Sequence, residues 1–457
     1  MPGMKPGAFR FSPSPPDPRE SGRVRTKAEI PVPEREGGRC PKIPGSPDDR
    51  MQKYRKDLPM NLRRTVSLLL ASLLLSGAFA SCNNTDAPSE EPAPAVSDPA
   101  EQQQEPEEQS PADAPSDPEP AGTPEDPAPT EEPRDESLHD SPIPASDGGM
   151  VELDKNLFYA KTGDCGFSAF LAGGGASSDA EVVAFLSSLL KAPELDFASV
   201  GAGCSTYAAE SADGGRVFGR NFDWSCSQVL LLETHPSDGY ASFSTVNLDF
   251  LRESANLPKE VLPTASCYAP LDGLNEKGLA VSVNMISDSA RIAQKSDKPD
   301  LTTTTAVRLL LDRAATVDEA LELLGTYDLH GSYDMMIHFA LADASGRAVD
   351  VEYVGQEMVV VETRILTNFY LAEGEKHGIG SEESHRRYDA LEAFLNAHEK
   401  ADIYDVRDAL FTARESAFDP DPSEGTEWSV LYDQTNLTAT WYRRENFDQG
   451  WTAKLGG

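Results

Sequence analysis

Gly203-Cys204-Ser205-Thr206-Tyr207-Ala208-Ala209-Glu210 is followed after a short gap by Arg216-Val217-Phe218-Gly219-Arg220-Asn221-Phe222-Asp223-Trp224. Between the two runs lies Ser211-Ala212-Asp213-Gly214-Gly215, a turn-forming cluster. The pattern predicts two strands, Cys204 to Glu210 and Arg216 to Asn221, joined as a hairpin. A hairpin sets the start of its first strand beside the end of its second, so Cys204 lies near Arg220 to Asp223. A guanidinium next to a thiol stabilises the thiolate, and a carboxylate one strand over can orient a nearby amine. Singly these signals are weak: a lone Cys is most often a small buried hydrophobe, and an Arg with an Asp is usually an ion pair. Their combination is what carries chemistry.

Outward from the hairpin, Ser178-Asp179-Ala180-Glu181 reads as a capping box, and Val182, Phe185, Leu186, Leu189 and Leu190 share one helical face, predicting a helix over 179–191. Downstream, short strands are expected at 229–233, 242–248 and 279–283. Helices follow at 303–314 and 318–324, the second opened by the capping box Thr316-Val317-Asp318-Glu319, then an antiparallel meander at 335–342, 348–353 and 358–362. Helices at 385–398 and 403–414 precede a closing hairpin, 428–432 with 438–443. Strands in meanders with helices in blocks argue for antiparallel sheets covered by helices, an α+β architecture, over a regularly alternating parallel one.

The chain has 457 residues, but its composition is uneven. Residues 1–59 are rich in Pro and Arg and poor in large apolar residues, so they are expected to stay unstructured. Met60 to Cys82 has the layout of a secretory signal: Arg63-Arg64, an apolar run from Val66 to Ala80 of about 15 residues, too short to span a bilayer, then Ala78-Phe79-Ala80-Ser81-Cys82. This placement suggests that translation begins at Met60 or Met51. Residues 83–149 form an acidic, Pro-rich tether carrying about half of the net charge of −36. The acidity therefore says little about a ligand, but it argues against nucleic acid, which calls for a basic surface. About 300 residues remain, enough for one sizeable core. Of the later cysteines, at most one disulfide fits among Cys165, Cys226 and Cys267 if Cys204 stays free, and the sequence does not choose it. No Cys/His spacing suggests zinc, and no cofactor is implied.

Further blocks accompany the hairpin: Asp272-Gly273-Leu274-Asn275-Glu276-Lys277-Gly278-Leu279 with Asn284 shortly after, Leu366-Thr367-Asn368, Arg387-Tyr388 and Thr426-Glu427-Trp428-Ser429. Together with Cys204, Arg220 and Asp223 they resemble, in order, the choloylglycine hydrolase family of linear amide hydrolases, which includes bile-salt hydrolases, penicillin V acylases and the acid amidase and acid ceramidase group. The resemblance implies a four-layer αββα sandwich and an N-terminal-nucleophile hydrolase. It implies self-cleavage between Gly203 and Cys204, leaving one residue with both the thiol and a free α-amine. Arg220 would face the thiolate, Asp223 would hold the Cys204 amine or thiol, and Asn284 would contribute to an oxyanion hole. Asn368 would bind the amine or oxyanion, and Arg387, with Arg386 as the competing register, would complete the site. Residues 204–457 would be the catalytic domain and 150–203 a small chain that stays associated through buried apolar contacts. Ala80-Ser81-Cys82 resembles a lipobox, which implies lipidation of Cys82 and attachment to the cell envelope outside the cytoplasmic membrane. The expected partner is a small-molecule amide with an apolar acyl group. Acyl transfer by the same acyl-enzyme, and an inactive ligand-binding lipoprotein, are the alternative readings.

Overall fold

The computed structural model describes residues 140–144, 149–191, 203–225, 227–251, 258–416 and 424–456. The expectations for 1–59, for the signal with Cys82, for most of the acidic tether and for Cys226 lie outside these residues.

In chain order the strands are β1 (Ser141–Pro142), β2 (Val151–Asp154), β3 (Leu157–Thr162), β4 (Gly203–Glu210), β5 (Arg216–Ser225), β6 (Val229–Thr234), β7 (Ser242–Asn247), β8 (Asp272–Asn275), β9 (Ala280–Ile286), β10 (Asp300–Thr302), β11 (Asp328–His330), β12 (Met336–Ala342), β13 (Ala348–Val354), β14 (Glu357–Glu362), β15 (Ile365–Leu366), β16 (Glu424–Asp433), β17 (Thr438–Arg443) and β18 (Asn446–Lys454). The helices are α1 (Phe167–Ala172), α2 (Asp179–Leu190), α3 (Leu262–Ser266), α4 (Thr303–Arg313), α5 (Val317–Gly325), α6 (Glu382–Ala397) and α7 (Ile403–Thr412).

Two large sheets result. One runs β1-β18-β17-β16-β5-β4-β15 and the other β14-β13-β12-β9-β8-β7-β6-β3-β2. Alternation along each strand divides the side chains between two faces. Cys204, Phe218, Phe222, Leu231, Phe243, Ala340, Trp428 and Trp441 meet between the sheets. The opposite face of the first sheet, through Tyr207, Val217 and Leu431, packs on Leu391 of α6 and Val406 and Leu410 of α7. The opposite face of the second, through Leu230, Val246 and Val281, packs on Val182 and Leu186 of α2, Leu310 of α4 and Val317 of α5. Helices, sheet, sheet and helices are therefore stacked in the order αββα, as the family resemblance implied.

Local signals held where side chains close on their own backbone. Ser178 caps α2 by accepting from Glu181 N, and Thr316 caps α5 by accepting from Glu319 N. Helix α6 starts at Glu382, three residues before the expected position, because Ser381 caps it by accepting from Ser384 N. The closing hairpin gains a third strand, β18, which its polar, Gly-containing sequence does not announce.

The upstream segment does more than lay one helix on the core: β3 pairs in parallel with β6 over six residues, and β2 extends the same sheet. A disulfide also joins Cys165, before the predicted cut, to Cys267 after it. This is one of the pairings the sequence left open among Cys165, Cys226 and Cys267.

Candidate active site

The β4–β5 hairpin builds the site. Gly203 pairs with Asp223, Cys204 with Phe222 and Thr206 with Arg220. By strand parity, Cys204, Arg220 and Phe222 face the space between the sheets, whereas Gly203, Ser205 and Asp223 face the α6–α7 layer. The thiol and Asp223 therefore lie on opposite sides of one sheet.

On the inner side, the Cys204 side chain is buried, with Sγ 3.4 Å from Arg220 Nη2 and 3.8 Å from Val283 O. Arg220 is fully buried. Its Nη1 donates to Asp272 and to Leu271 O (2.8 Å), and its Nη2 to Val283 O (2.7 Å). The Asp272 carboxylate also accepts from Trp428 Nε1 (3.2 Å) and Tyr432 OH (2.5 Å). The guanidinium carbon lies 5.3 Å and 5.9 Å from the Phe222 and Trp428 ring centres, an arrangement the ring quadrupoles favour. Burial pushes the Cys204 thiol above its ordinary pKa, Arg220 pulls it down, and the Asp223 charge works against Arg220.

On the other side, the Cys204 backbone N–H donates to Asn368 Oδ1 at 2.7 Å. Arg387 binds everything around that bond: Nη1 donates to Cys204 O (2.8 Å), Ser205 Oγ (3.0 Å) and Asp223 Oδ2 (2.8 Å), and Nη2 to Asn368 Oδ1 (2.9 Å). Arg387 is buried, while Arg386 has a 60 % exposed side chain and lies 3.7 Å from Glu415; the geometry selects Arg387. The other Asp223 oxygen accepts from Thr426 Oγ1 at 2.6 Å. Asp223 thus reaches Cys204 through Arg387, not by a direct bond to thiol or amide. Asn284 Nδ2 donates to Thr367 O (3.1 Å), and its Oδ1 accepts from Ser282 Oγ (2.9 Å).

Reading the sequence missed Glu415, whose Oε1 sits 3.0 Å from Arg387 Nε and whose carboxyl burial pushes above the usual range against the pull of Arg387. It belongs to no quoted block, so nothing local marks it. Thr426 was inside one, without its role. Tyr268 lies in the layer on the far side of the second sheet, with its hydroxyl on Cys165 O (3.0 Å) and its ring against Phe167 and Phe170. Phe250 does share the inter-sheet layer with Cys204, packing on Trp224 and Tyr333. Among the described residues, one His–carboxylate group, His338, Asp350 and Glu352, has donor atoms close enough for a metal; the His ring nitrogen already faces both carboxylates, at 3.2 Å and 3.6 Å.

Residues 204–370 match the family model of linear amide C-N hydrolases, choloylglycine hydrolase family. A penicillin V acylase of Pectobacterium atrosepticum is 32% identical over 110 residues, which cover 21% of this chain and 29% of the acylase. The match thus spans less than a third of that relative. Similar solved structures include a penicillin V acylase from Agrobacterium tumefaciens, at 18% identity and a TM-score of 0.40 over 52% of this chain and 83% of that one. A mutant conjugated bile acid hydrolase from Clostridium perfringens gives 16% identity and a TM-score of 0.42 over 55% and 92%. On that match, residues 204–370, which open with Cys204, are similar to the choloylglycine hydrolase family of linear amide C–N hydrolases.

Proposed function

We propose that this chain is a cysteine N-terminal-nucleophile hydrolase that cuts itself between Gly203 and Cys204 and then hydrolyses linear amides such as penicillin V or conjugated bile acids. The observation that carries the reading is the convergence of two separate sets of partners on one residue. Arg220 approaches the Cys204 thiol, while Asn368 holds the nitrogen that a cut would turn into an α-amine.

In the self-cleavage step Sγ attacks the Gly203 carbonyl carbon, the C–N bond breaks, and the nitrogen leaves as the Cys204 amine. Water then hydrolyses the thioester, giving a Gly203 carboxylate and the free thiol. An α-amine, with an ordinary pKa of about 8, acts as base and acid near neutral pH without a histidine. The Cys204 thiolate, stabilised by Arg220, attacks the substrate amide. The departing amine takes a proton from the α-ammonium, and water, activated by the α-amine, releases the acid. Asn284 serves the oxyanion by exchanging its bond to Thr367 O for one to the substrate oxygen, a contact worth roughly 3 kcal/mol in the transition state.

The reading extends to location. The apolar run 66–80 ahead of Cys82 supports export and lipid anchoring, and the Cys165–Cys267 disulfide favours an oxidising compartment. The test is release of free acid from penicillin V, conjugated bile acids and N-acyl amines, followed by mass spectrometry. The native protein should turn over at least one class and Cys204→Ala none. Equal turnover by Cys204→Ala, or no turnover of any linear amide by the native protein, contradicts the proposal.

A further inference from the structure

His338, Asp350 and Glu352 are fully buried between the sheets, and the chemistry above makes no use of them. His338 stands on β12 directly opposite Asn284 on β9, with Asp350 and Glu352 on the same face of neighbouring β13. Its Nε2 donates to Thr367 O at 3.0 Å, the carbonyl that also accepts from Asn284 Nδ2. Its Nδ1 faces Asp350 Oδ2 (3.2 Å) and Glu352 Oε1 (3.6 Å). A carbonyl and an ionised carboxylate both only accept, so the ring satisfies both sides as an imidazolium. Glu352 in turn accepts from the backbone N–H of Leu371 (2.6 Å) and Ala372 (3.1 Å). One buried ion cluster therefore grips both ends of the segment 367–372, which carries Asn368.

We propose that His338 and Glu352 are positioning residues for amide hydrolysis, clamping segment 367–372 so that Asn368 and Asn284 stay aligned with Cys204. This rests on the function proposed above. The remaining titratable neighbours are Tyr388 of α6, which senses the Asp350 charge, and Tyr370, which senses Glu352 and donates to Asp288 at 3.0 Å; Lys376 pairs with that same Asp288. Neither tyrosine supplies a positive charge, which leaves His338 as the cation that offsets the two carboxylates. Burial pushes Asp350 up to about 7, against the pull of His338.

The test uses the full chain with His338→Ala, His338→Gln and Glu352→Gln. A Gln amide can reproduce the Nε2 donor to Thr367 O but not the charge. With penicillin V, His338→Ala should lower kcat by about 10²-fold, the order expected when a group is misplaced by near 1 Å, while KM changes little. His338→Gln should recover much of this and shift the pH profile. Hydrogen exchange gives a readout independent of turnover. The Leu371 and Ala372 amides should exchange about tenfold faster or more in His338→Ala and Glu352→Gln, with β5 amides as the control for global folding. If the native protein hydrolyses nothing but the exchange changes appear, the clamp stands and the function fails. Unchanged exchange at Leu371 and Ala372 overturns the clamp, as does full kcat in His338→Ala or a His338→Gln that is as impaired as His338→Ala in a folded protein.

Discussion

Gly203 has no room for a side chain: a Cβ there would lie 2.9 Å from Arg387 Nη2 and 3.2 Å from Asp223 Oδ2. Gly203→Ala must push the guanidinium that holds Cys204 O and Asn368, so self-cleavage should slow by an order of magnitude or more, read from band intensities over time on a reducing gel. Asn284→Ala should lower kcat by about 10²- to 10³-fold in steady-state assays, the usual cost of one lost oxyanion donor. Removing the charge of Arg220 leaves Asp272 buried without its partner, so Arg220→Gln should cost about 3–5 kcal/mol in denaturant unfolding. The His338 cluster makes a pH prediction. Burial disfavours the imidazolium, but Asp350 and Glu352 more than reverse this and push His338 up to about 10 from 6.5. A folded-state pKa raised in this way contributes stability that is fully present below 6.5 and is lost as pH rises through about 10. The stability gap between the native protein and His338→Gln should therefore narrow over that window, measured as denaturant midpoints.

At the scale of elements, the β4–β5 hairpin was legible because its turn residues, alternation and chemistry coincide within 22 residues of sequence. The capped helices were legible for the same reason: Ser178 and Thr316 act on neighbours three residues away. Strand β3 was not, because its pairing with β6 joins residues far apart in the sequence, and β2 reaches the sheet only through its hairpin with β3. The Cys165–Cys267 bridge spans 102 residues and obeys no local rule either. The same holds for Glu415 and for the His338 cluster, where each residue is ordinary alone and meaningful only once the sheet brings it beside its partners. The bridge carries its own prediction. After cleavage, the two pieces should separate on a reducing gel and migrate as one without reductant. Cys165→Ala should cost about 2–4 kcal/mol in denaturant unfolding, with β3–β6 pairing still holding the small chain in place.

Across the whole molecule, segment 150–203 ahead of Cys204 supplies strands β2 and β3, the α2 face and one disulfide cysteine to the fold. If the proposed cut occurs, these contacts would keep the segment attached. The layers explain how the proposed cut could serve catalysis without loosening the fold: from Cys204 onward β4 is held on one edge by β5 and on the other by β15, so a cut after Gly203 would free only the Gly203–Asp223 pair and leave the rest in place. The most direct test is intact mass and N-terminal sequencing of the purified, reduced protein. The account predicts a fragment whose first residue is Cys204, present in the native protein and absent from Cys204→Ala; a native protein that hydrolyses its amide substrate while Gly203 and Cys204 remain joined would contradict it.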